Sequence, residues 1–461
     1  MAYVPLTPDE REAMLARIGA SSVDDLFAVV PPQVRFPEIP LPPAASEQET
    51  GAHVGALARQ NRTAHDLACF RGAGAYFHYV PAAVGHITGR SEFYTSYTPY
   101  QSEASQGILQ ATFEFQSLVA DLFGLDVANA SVYDGASALA EAVLMALRLT
   151  RRSRIAVSAS VHPEYRAVVR TYLTARDVEV RETTLHRTTD GFHEEPLADL
   201  LDDETACCVV QQPDFFGRVH DFTSLVASAK ARGALVVAVC NPTALGLLQP
   251  PGAWGADIAV AEGQPLGIPL SFGGPFVGLM ACRLEHVRQL PGRLVGQTTD
   301  RNGRRGFVLT LQAREQHIRR EKATSNICTN EALMALAVTV YLALLGPQGL
   351  RRVAELCHRK TRYLASRIAA LPGYRVLTPE PFFHEIAVAC PVPPRALNER
   401  LLERGILGGV ELGRWYPALD DSVLFCCTEM NSRQQIDALA QALDDLGRPA
   451  APAPREERRG Q

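Results

Sequence analysis

Apolar residues recur at helical spacing between Ile108 and Leu122, in a segment that follows a polar loop rich in tyrosine. Positions three and four apart carry the large side chains, so one face of the predicted helix is apolar. Gly124 directly follows and is expected to end the helix. A short apolar strand is then predicted over residues 127–132, and a second apolar helix from Ala138 to about Leu149.

The turn between that strand and that helix has the sequence Asp134-Gly135-Ala136-Ser137. The first turn of a helix leaves backbone N–H groups unpaired, so Gly135, Ala136 and Ser137 are candidates for an anion-binding cup. The alternative is that Asp134 or Ser137 only caps the helix.

From residue 154 onwards, strand-like and helix-like segments alternate. The predicted strands cover 154–160, 178–185, 205–213, 234–241 and 256–264, and the predicted helices cover 162–176 and 224–233. Two turns rich in glycine and proline follow, at 263–269 and 272–278. Alternation of this kind predicts an α/β fold with a mostly parallel sheet and helices on both faces.

The two ends of the chain have a different character. Residues 1–30 read as a helical arm that starts at Thr7-Pro8-Asp9-Glu10, with a second short helix at 21–30, and residues 31–43 are proline-rich and extended. A long apolar helix at 332–346 is expected to lead into a smaller α+β C-terminal domain. That domain has predicted strands at 374–379, 384–390 and 422–430 and predicted helices at 395–405 and 433–447. The predicted boundaries are an arm at 1–60, a large domain at 61–335, a linking helix and small domain at 336–448, and a disordered tail at 449–461.

Composition excludes several classes of function. The net charge of −5 over 461 residues gives no basic footprint for nucleic acid. No apolar run is long enough to cross a membrane, and the N-terminus does not read as a signal peptide, so a cytoplasmic protein with reduced thiols is expected. His78 and His86 lack acidic or cysteine partners at metal-ligand spacing, so no metal site is predicted.

Three long motifs carry a family resemblance: YTPYQSEASQG at 97–107, DVANASVYDGASALAEA at 126–142 and REQHIRREKATSNICTN at 314–330. They resemble the glycine dehydrogenase (decarboxylating) family, the P-protein of the glycine cleavage system. Within it the chain is most similar to the alpha chains, or subunit 1, of two-subunit P-proteins, from Tyr3 to about residue 447. The resemblance implies the aspartate aminotransferase type of fold, fold type I of the pyridoxal 5′-phosphate (PLP) enzymes.

PLP chemistry in this fold needs a lysine amine, an acid beside the pyridine nitrogen and a cup for the phosphate. By resemblance, Val239 stands where the acid is expected, and Gln264 stands at the lysine position. A carboxamide does not form an imine. The chain is therefore expected to bind no PLP of its own, which leaves Gly135, Ala136 and Ser137 as a vestigial cup.

The resemblance implies that the chain completes the site of a PLP-bearing beta subunit, in an assembly of two alpha and two beta chains. Together they would decarboxylate glycine and pass the aminomethyl group to the lipoyl arm of the H-protein. Candidate residues for the shared site lie in a tyrosine loop and a basic segment: Tyr94, Ser96, Tyr97, Thr98, Tyr100, Arg319, Arg320, Lys322 and Thr324. Structural packing of the tyrosines and salt bridging of the arginines are the alternatives.

Two rival functions remain open at this stage. One is an independently active PLP enzyme, an aminotransferase or lyase, in which Lys322 forms the imine; the other lysines are Lys230 and Lys360. The second is a non-catalytic scaffold that binds PLP enzymes without shaping their sites.

Overall fold

The structure is a computed structural model, and it describes residues 6–36 and 39–448. In chain order its helices are α1 Pro8–Ile18, α2 Glu47–Ala58, α3 Ala82–Thr88, α4 Ser91–Tyr94, α5 Gln106–Phe123, α6 Gly135–Thr150, α7 Pro163–Leu173, α8 Thr223–Ala231, α9 Pro251–Trp254, α10 Gln316–Arg319, α11 Ala332–Ala369, α12 Pro394–Glu403 and α13 Arg433–Gly447.

The strands are short in most places. They are β1 Ala68–Cys69, β2 Val127–Ala128, β3 Arg154–Val157, β4 Glu179–Glu182, β5 Leu185–Arg187, β6 Phe192–Glu194, β7 Thr205–Gln212, β8 Leu235–Cys240, β9 Ile258–Glu262, β10 Gly278–Cys282, β11 Leu294–Thr299, β12 Arg305–Thr310, β13 Arg375–Val376, β14 Glu385–Ala389, β15 Ile406–Leu407, β16 Val410–Glu411 and β17 Ser422–Cys426.

The chain divides into two compact units, residues 1–62 and 63–461. In the first, Thr7 and Glu10 cap α1 reciprocally, as the sequence predicted. The helix predicted at 21–30 was wrong: only a 3-10 turn forms, Asp24–Phe27. The Asp25 carboxylate accepts hydrogen bonds from the Ser21 and Ser22 N–H groups, and such local bonds compete with the helix.

A seven-stranded sheet organises the second unit, in the order β2-β10-β9-β8-β7-β3-β4. Strands β3, β4, β7, β8 and β9 pair in parallel, and β10 runs antiparallel to both of its neighbours. Helices α5, α8 and α11 pack on one face, and α6 and α7 pack on the other. The fold is therefore the predicted α/β fold with a mostly parallel sheet.

A second sheet, with the antiparallel order β13-β14-β17-β16, follows the long helix α11. Residues of α11, α12 and α13 pack against it, and Leu364, Leu397 and Leu439 are fully buried there. This is the smaller α+β part expected from the sequence. The four-part domain boundaries stay a prediction, and the tail at 449–461 lies outside the described residues.

Several elements differ from their predicted bounds. The strand expected at 127–132 ends at Ala128, because Ser131 has a φ of 87° and the Asn129 side chain binds the Ser131 N–H. Helix α6 begins at Gly135, three residues early, because Asp134 caps it. The segment predicted as one strand at 178–185 is divided between β4 and β5.

Helix α11 is longer than predicted and is broken at Gly346, where φ is 58° and ψ is −177°. Its length and mean hydropathy of 1.7 match those of a membrane span. However, the part before the break is shorter than the roughly 20 residues that a span needs, and Val338, Tyr341 and Leu342 pack in the core beside the large sheet.

Candidate functional site

The inner pocket lies where strands β7, β8 and β9 end, and its lining includes Tyr76, Val239, Glu262 and Pro265. These strands are parallel neighbours, so their carboxyl ends meet at one edge of the sheet. Val239 pairs with Gln211 on one side and with Val260 on the other. The aliphatic side chain of Val239 therefore faces the pocket where a PLP enzyme needs an acid.

Gln264 lies in the turn after β9, between the pocket-lining residues Glu262 and Pro265. Its Oε1 accepts a hydrogen bond from the Tyr76 N–H at 2.8 Å, and its Nε2 donates to the Tyr76 and Ile268 carbonyls at 3.0 and 2.8 Å. Only 1% of the residue is exposed. The amide is satisfied on three sides, so it ties two loops together and presents no reactive group.

At the predicted anion cup, Asp134 and Ser137 cap helix α6, which is the alternative that the sequence left open. The Asp134 carboxylate accepts from the Ser137 N–H at 2.7 Å, and the Ser137 hydroxyl accepts from the Asp134 N–H at 3.1 Å. The Gly135 N–H donates to the Glu262 carboxylate at 2.9 Å. A carboxylate of the chain itself therefore occupies the start of α6.

Glu262 is almost fully buried and receives two further N–H groups, from Gln264 at 2.9 Å and from Val277 at 3.1 Å. Burial raises the pKa of Glu262 to about 7, although the three N–H donors act in the opposite direction. Burial also raises the pKa of the neighbouring Tyr165 hydroxyl, and the charge of Glu262 adds to that effect.

These residues do not fit PLP. The described residues that line the pocket include no lysine and no acid at Val239, and the Glu262 carboxyl group takes the Gly135 N–H at the helix start, where a phosphate would bind. The remaining cavity is about 30 Å³, whereas pockets that enclose a ligand of this kind measure roughly 300 Å³ or more.

None of the three lysines lines the inner pocket. Lys322 and Lys230 are exposed, and Lys360 donates a hydrogen bond to the Glu429 carbonyl. An imine-forming lysine needs a desolvated amine beside the cofactor. The geometry therefore gives no support to an independent enzyme built on Lys322.

The outer surface consists of the tyrosine loop, residues 94–100, and the basic segment, residues 311–331. Its aromatic side chains point into solvent: Tyr94 is 67% exposed, Tyr97 75% and Tyr100 54%. Ser96 donates its hydroxyl proton to the Phe93 carbonyl, and the Thr98 carbonyl accepts from the Tyr100 N–H. The rings of Tyr94 and Tyr97 are therefore largely exposed, whereas Tyr100 also has contacts within the chain.

Arg293 joins the two parts of the outer surface. Its guanidinium donates to the Tyr100 hydroxyl at 3.1 Å and to the Cys328 carbonyl at 2.6 Å. Tyr100 also contacts His317 edge to face, with the ring centroids 5.7 Å apart. A cavity of about 250 Å³ opens beside Arg293, and its lining includes Tyr97, Thr98 and Glu331.

The basic segment carries the other sequence-predicted residues. Arg319, Arg320 and Lys322 are exposed, and the Arg319 Nε donates to the Ala313 carbonyl at 2.9 Å. Thr324 is half-buried and binds the Arg314 carbonyl through its N–H. Five of the predicted residues thus lie around Arg293: Ser96, Tyr97, Thr98, Tyr100 and Thr324. No contact among the described residues places Arg320 or Lys322 with them.

A cluster of possible metal ligands forms around His78, while the absence of a metal site stays a prediction. The fold brings His78 to Glu429 and Cys357, with one ligand atom from each within 4.8 Å of the others. Sequence spacing missed this because the partners lie far along the chain. The His78 Nδ1 is 2.6 Å from the Glu429 carboxylate, and that carboxylate also accepts from the Tyr79 N–H and the Cys357 thiol. Direct hydrogen bonds therefore account for the cluster.

The sequence reading also missed Glu262 and Arg293. Glu262 had a visible signal, because a carboxylate at the end of an apolar strand, two residues before the lysine position, needs a partner inside the protein. Arg293 lies between apolar residues in LPGRLVG, and nothing in that pattern indicates that it joins two distant segments.

Comparison with known proteins shows to which family the chain belongs. The glycine cleavage system P-protein family model matches residues 1–443. The chain is 54% identical over 444 residues to a probable glycine dehydrogenase (decarboxylating) subunit 1 of Thermomicrobium roseum, covering 96% of this chain and 99% of that one. It is 51% identical over 447 residues to the protein of the same name from Desulforamulus reducens, with 96% and 99% covered.

Solved structures agree with the sequence comparison. A crystal structure of glycine decarboxylase (P-protein) of the glycine cleavage system, in inhibitor-bound form, superposes with a TM-score of 0.89 at 47% identity, covering 97% of this chain and all of that one. A Lactobacillus brevis glutamate decarboxylase has a TM-score of 0.67 at 15% identity, with 93% and 99% covered, and this likeness shows the shared fold alone.

Proposed function

This chain belongs to the glycine cleavage system P-protein family as a subunit 1 of glycine dehydrogenase (decarboxylating), and from that premise we propose that it completes a catalytic site whose PLP is held by a beta subunit. The observation that carries the proposal is the contrast between a closed inner pocket and an open outer surface. Gln264 and Glu262 fill the place of a cofactor, whereas Tyr94, Tyr97 and Tyr100 are exposed.

The outer surface supplies the chemistry that a shared site needs. Tyrosine rings offer flat apolar contact together with hydroxyl donors, and arginine and lysine side chains attract carboxylate or phosphate groups. We assign Tyr94, Ser96, Tyr97, Thr98, Tyr100, Arg319, Arg320, Lys322 and Thr324 to contacts with the partner's cofactor, with glycine or with the lipoyl arm of the H-protein. PLP in the beta subunit supplies the electron sink for decarboxylation.

The proposal includes an assembly of two alpha and two beta chains in the cytoplasm. Lipoylated H-protein is the acceptor of the aminomethyl group. The first unit is consistent with such an assembly, because α1 and α2 bury none of their residues and Ile18, Val54 and Leu57 are exposed. An apolar surface of this kind favours a protein partner over water.

Cofactor trapping tests the proposal directly. The chain is titrated with PLP alone and after mixing with its beta partner, treated with borohydride, and digested for peptide mapping. We expect label on the partner only, and decarboxylation of glycine only when both chains are present. Label on Lys322 of the isolated chain, with turnover of an amino acid, would overturn the proposal in favour of an independent enzyme.

A further inference from the structure

The proposed function gives no contact with substrate or partner to the buried carboxyl group of Glu262. It ends strand β9 with 8% of its surface exposed, and its carboxylate receives three backbone N–H groups from three separate segments: Gly135, Gln264 and Val277. Converging N–H groups are the donors that an anion site provides, and here the Glu262 carboxyl group accepts all three. The carboxyl group also lies beside Gly135, the first residue of α6, where the positive end of the helix dipole favours negative charge.

The same place is where this fold type binds a phosphate, because a long helix that follows a strand and a small-residue turn directs its free N–H groups there. The site is tight around its occupant. A Cβ on Gly135 would lie 2.4 Å from the Tyr165 hydroxyl and 2.9 Å from the Glu262 nitrogen, so glycine is needed for the close approach. Asp134 places a second carboxylate at the same helix end.

We propose that Glu262 is a built-in occupant of the phosphate position, and that its carboxylate excludes dianionic ligands such as inorganic phosphate and PLP from this chain. The inference deepens the proposed function, since it gives the reason why the cofactor is confined to the partner. Loss of the lysine at position 264 removes a covalent bond but leaves phosphate contacts possible. An internal carboxylate removes those contacts too, by occupying the donors and repelling a second anion.

The test is to remove the Glu262 carboxyl group from the start of α6. In Glu262→Ala the three N–H groups lose their acceptor and a space opens at the start of α6. We expect this variant to bind inorganic phosphate at least tenfold more tightly than the wild-type chain, measured by calorimetry and by phosphorus NMR line broadening. Its melting temperature is expected to rise with phosphate concentration. Glu262→Gln keeps the volume filled and is expected to gain no phosphate binding.

Glu385 provides the matched control. It is also buried, also accepts a backbone N–H, from Ala73 at 2.7 Å, and contacts the Tyr76 hydroxyl at 2.8 Å, but it does not lie at the start of a helix. Glu385→Ala therefore opens a comparable space with orphaned donors. We expect it to gain no phosphate affinity.

Two results would overturn the inference. One is phosphate binding by the wild-type chain as tight as that of Glu262→Ala. The other is a folded Glu262→Ala, judged by circular dichroism, that gains no affinity. If Glu262→Ala does not fold, Glu262→Ser retains one acceptor for the Gly135 N–H, and refolding that depends on phosphate supports the inference. Failure of both variants to fold at any phosphate concentration assigns Glu262 a purely structural role. None of these results changes which chain the borohydride label marks, so the proposed function is tested separately.

Discussion

Polar groups in the inner pocket and on the outer surface differ in how completely they are hydrogen-bonded within the chain. In the inner pocket, Gln264 and Glu262 are bonded on several sides by the chain itself. On the outer surface, the tyrosine rings are exposed, and Arg293 Nε, Arg314 Nε and Glu315 Oε1 are buried without a hydrogen-bond partner among the described residues. Unpaired buried polar groups are costly, although the Arg293 Nε lies 3.7 Å from the Glu315 carboxylate. This difference is the basis of our proposal that the outer surface meets a partner, whereas the inner pocket is closed by contacts within the chain.

The largest expected effect comes from opening the inner pocket. Gln264→Leu orphans the Tyr76 N–H and the carbonyls of Tyr76 and Ile268. Each orphaned buried group costs about 1–3 kcal/mol, so the free energy of unfolding is expected to fall by about 4 kcal/mol. Denaturant unfolding of the purified chain measures this. The exposed Gln297→Leu is the control, with an expected change within about 0.5 kcal/mol. A loss below about 1 kcal/mol for Gln264→Leu would contradict the closed-pocket interpretation.

The buried carboxyls make stability depend on pH. Burial raises the pKa of Glu262 and of Glu385 from 4.5 to about 7. A raised pKa stabilises the folded state most below pH 4.5, and this contribution is lost as the pH rises through about 7. A shift of that size corresponds to about 3 kcal/mol for each group.

Glu385→Gln isolates one of the two titrations, since the amide keeps the acceptor for the Ala73 N–H. The free energy of unfolding of the wild type, relative to this variant, is expected to fall by about 3 kcal/mol between pH 4.5 and 7.5. Chemical denaturation across that range measures it. A difference that stays constant with pH would mean that Glu385 does not titrate there.

Removal of Arg293 should affect stability and activity together. Arg293→Met loses the bonds to the Tyr100 hydroxyl and the Cys328 carbonyl, which costs about 2 kcal/mol. It also releases the tyrosine loop from the basic segment, so decarboxylation by the complex with the beta subunit is expected to fall at least tenfold. Arg301→Met, in an exposed turn, is the control. If the complex is destabilised but its activity is unchanged, the contacts of Arg293 stabilise the fold without contributing to catalysis.

The smallest effect on stability is expected at Tyr97. Its ring is exposed, so Tyr97→Ala is expected to change the free energy of unfolding by less than about 0.5 kcal/mol. In an intact complex it is expected to lower glycine decarboxylation at least tenfold, equal to about 1.4 kcal/mol of barrier. The exposed Tyr79→Ala serves as the control. Full activity of Tyr97→Ala would favour the scaffold function.

Local pattern determined much of this protein. Helical spacing of apolar residues predicted α5 and its end at Gly124, and the buried runs predicted β7, β8 and β9 in a parallel sheet. The long motifs predicted the family and the fold type, and comparison with the family's lysine turn predicted Gln264 at the lysine position. These features depend on neighbours within a few residues, or on residue type, so a single sequence carries them.

Tertiary structure decided the rest, because it joins residues far apart in the chain. Glu262 meets Gly135 across 127 positions, Gln264 meets Tyr76 across 188, and Arg293 meets Tyr100 across 193. No periodicity reports such contacts, and neither does composition. By family resemblance, the sequence predicted that Gln264 stands at the lysine position. Only the folding of α6 against β9 brought Glu262 to the helix end, where a buried carboxylate needs N–H donors and the helix start supplies one.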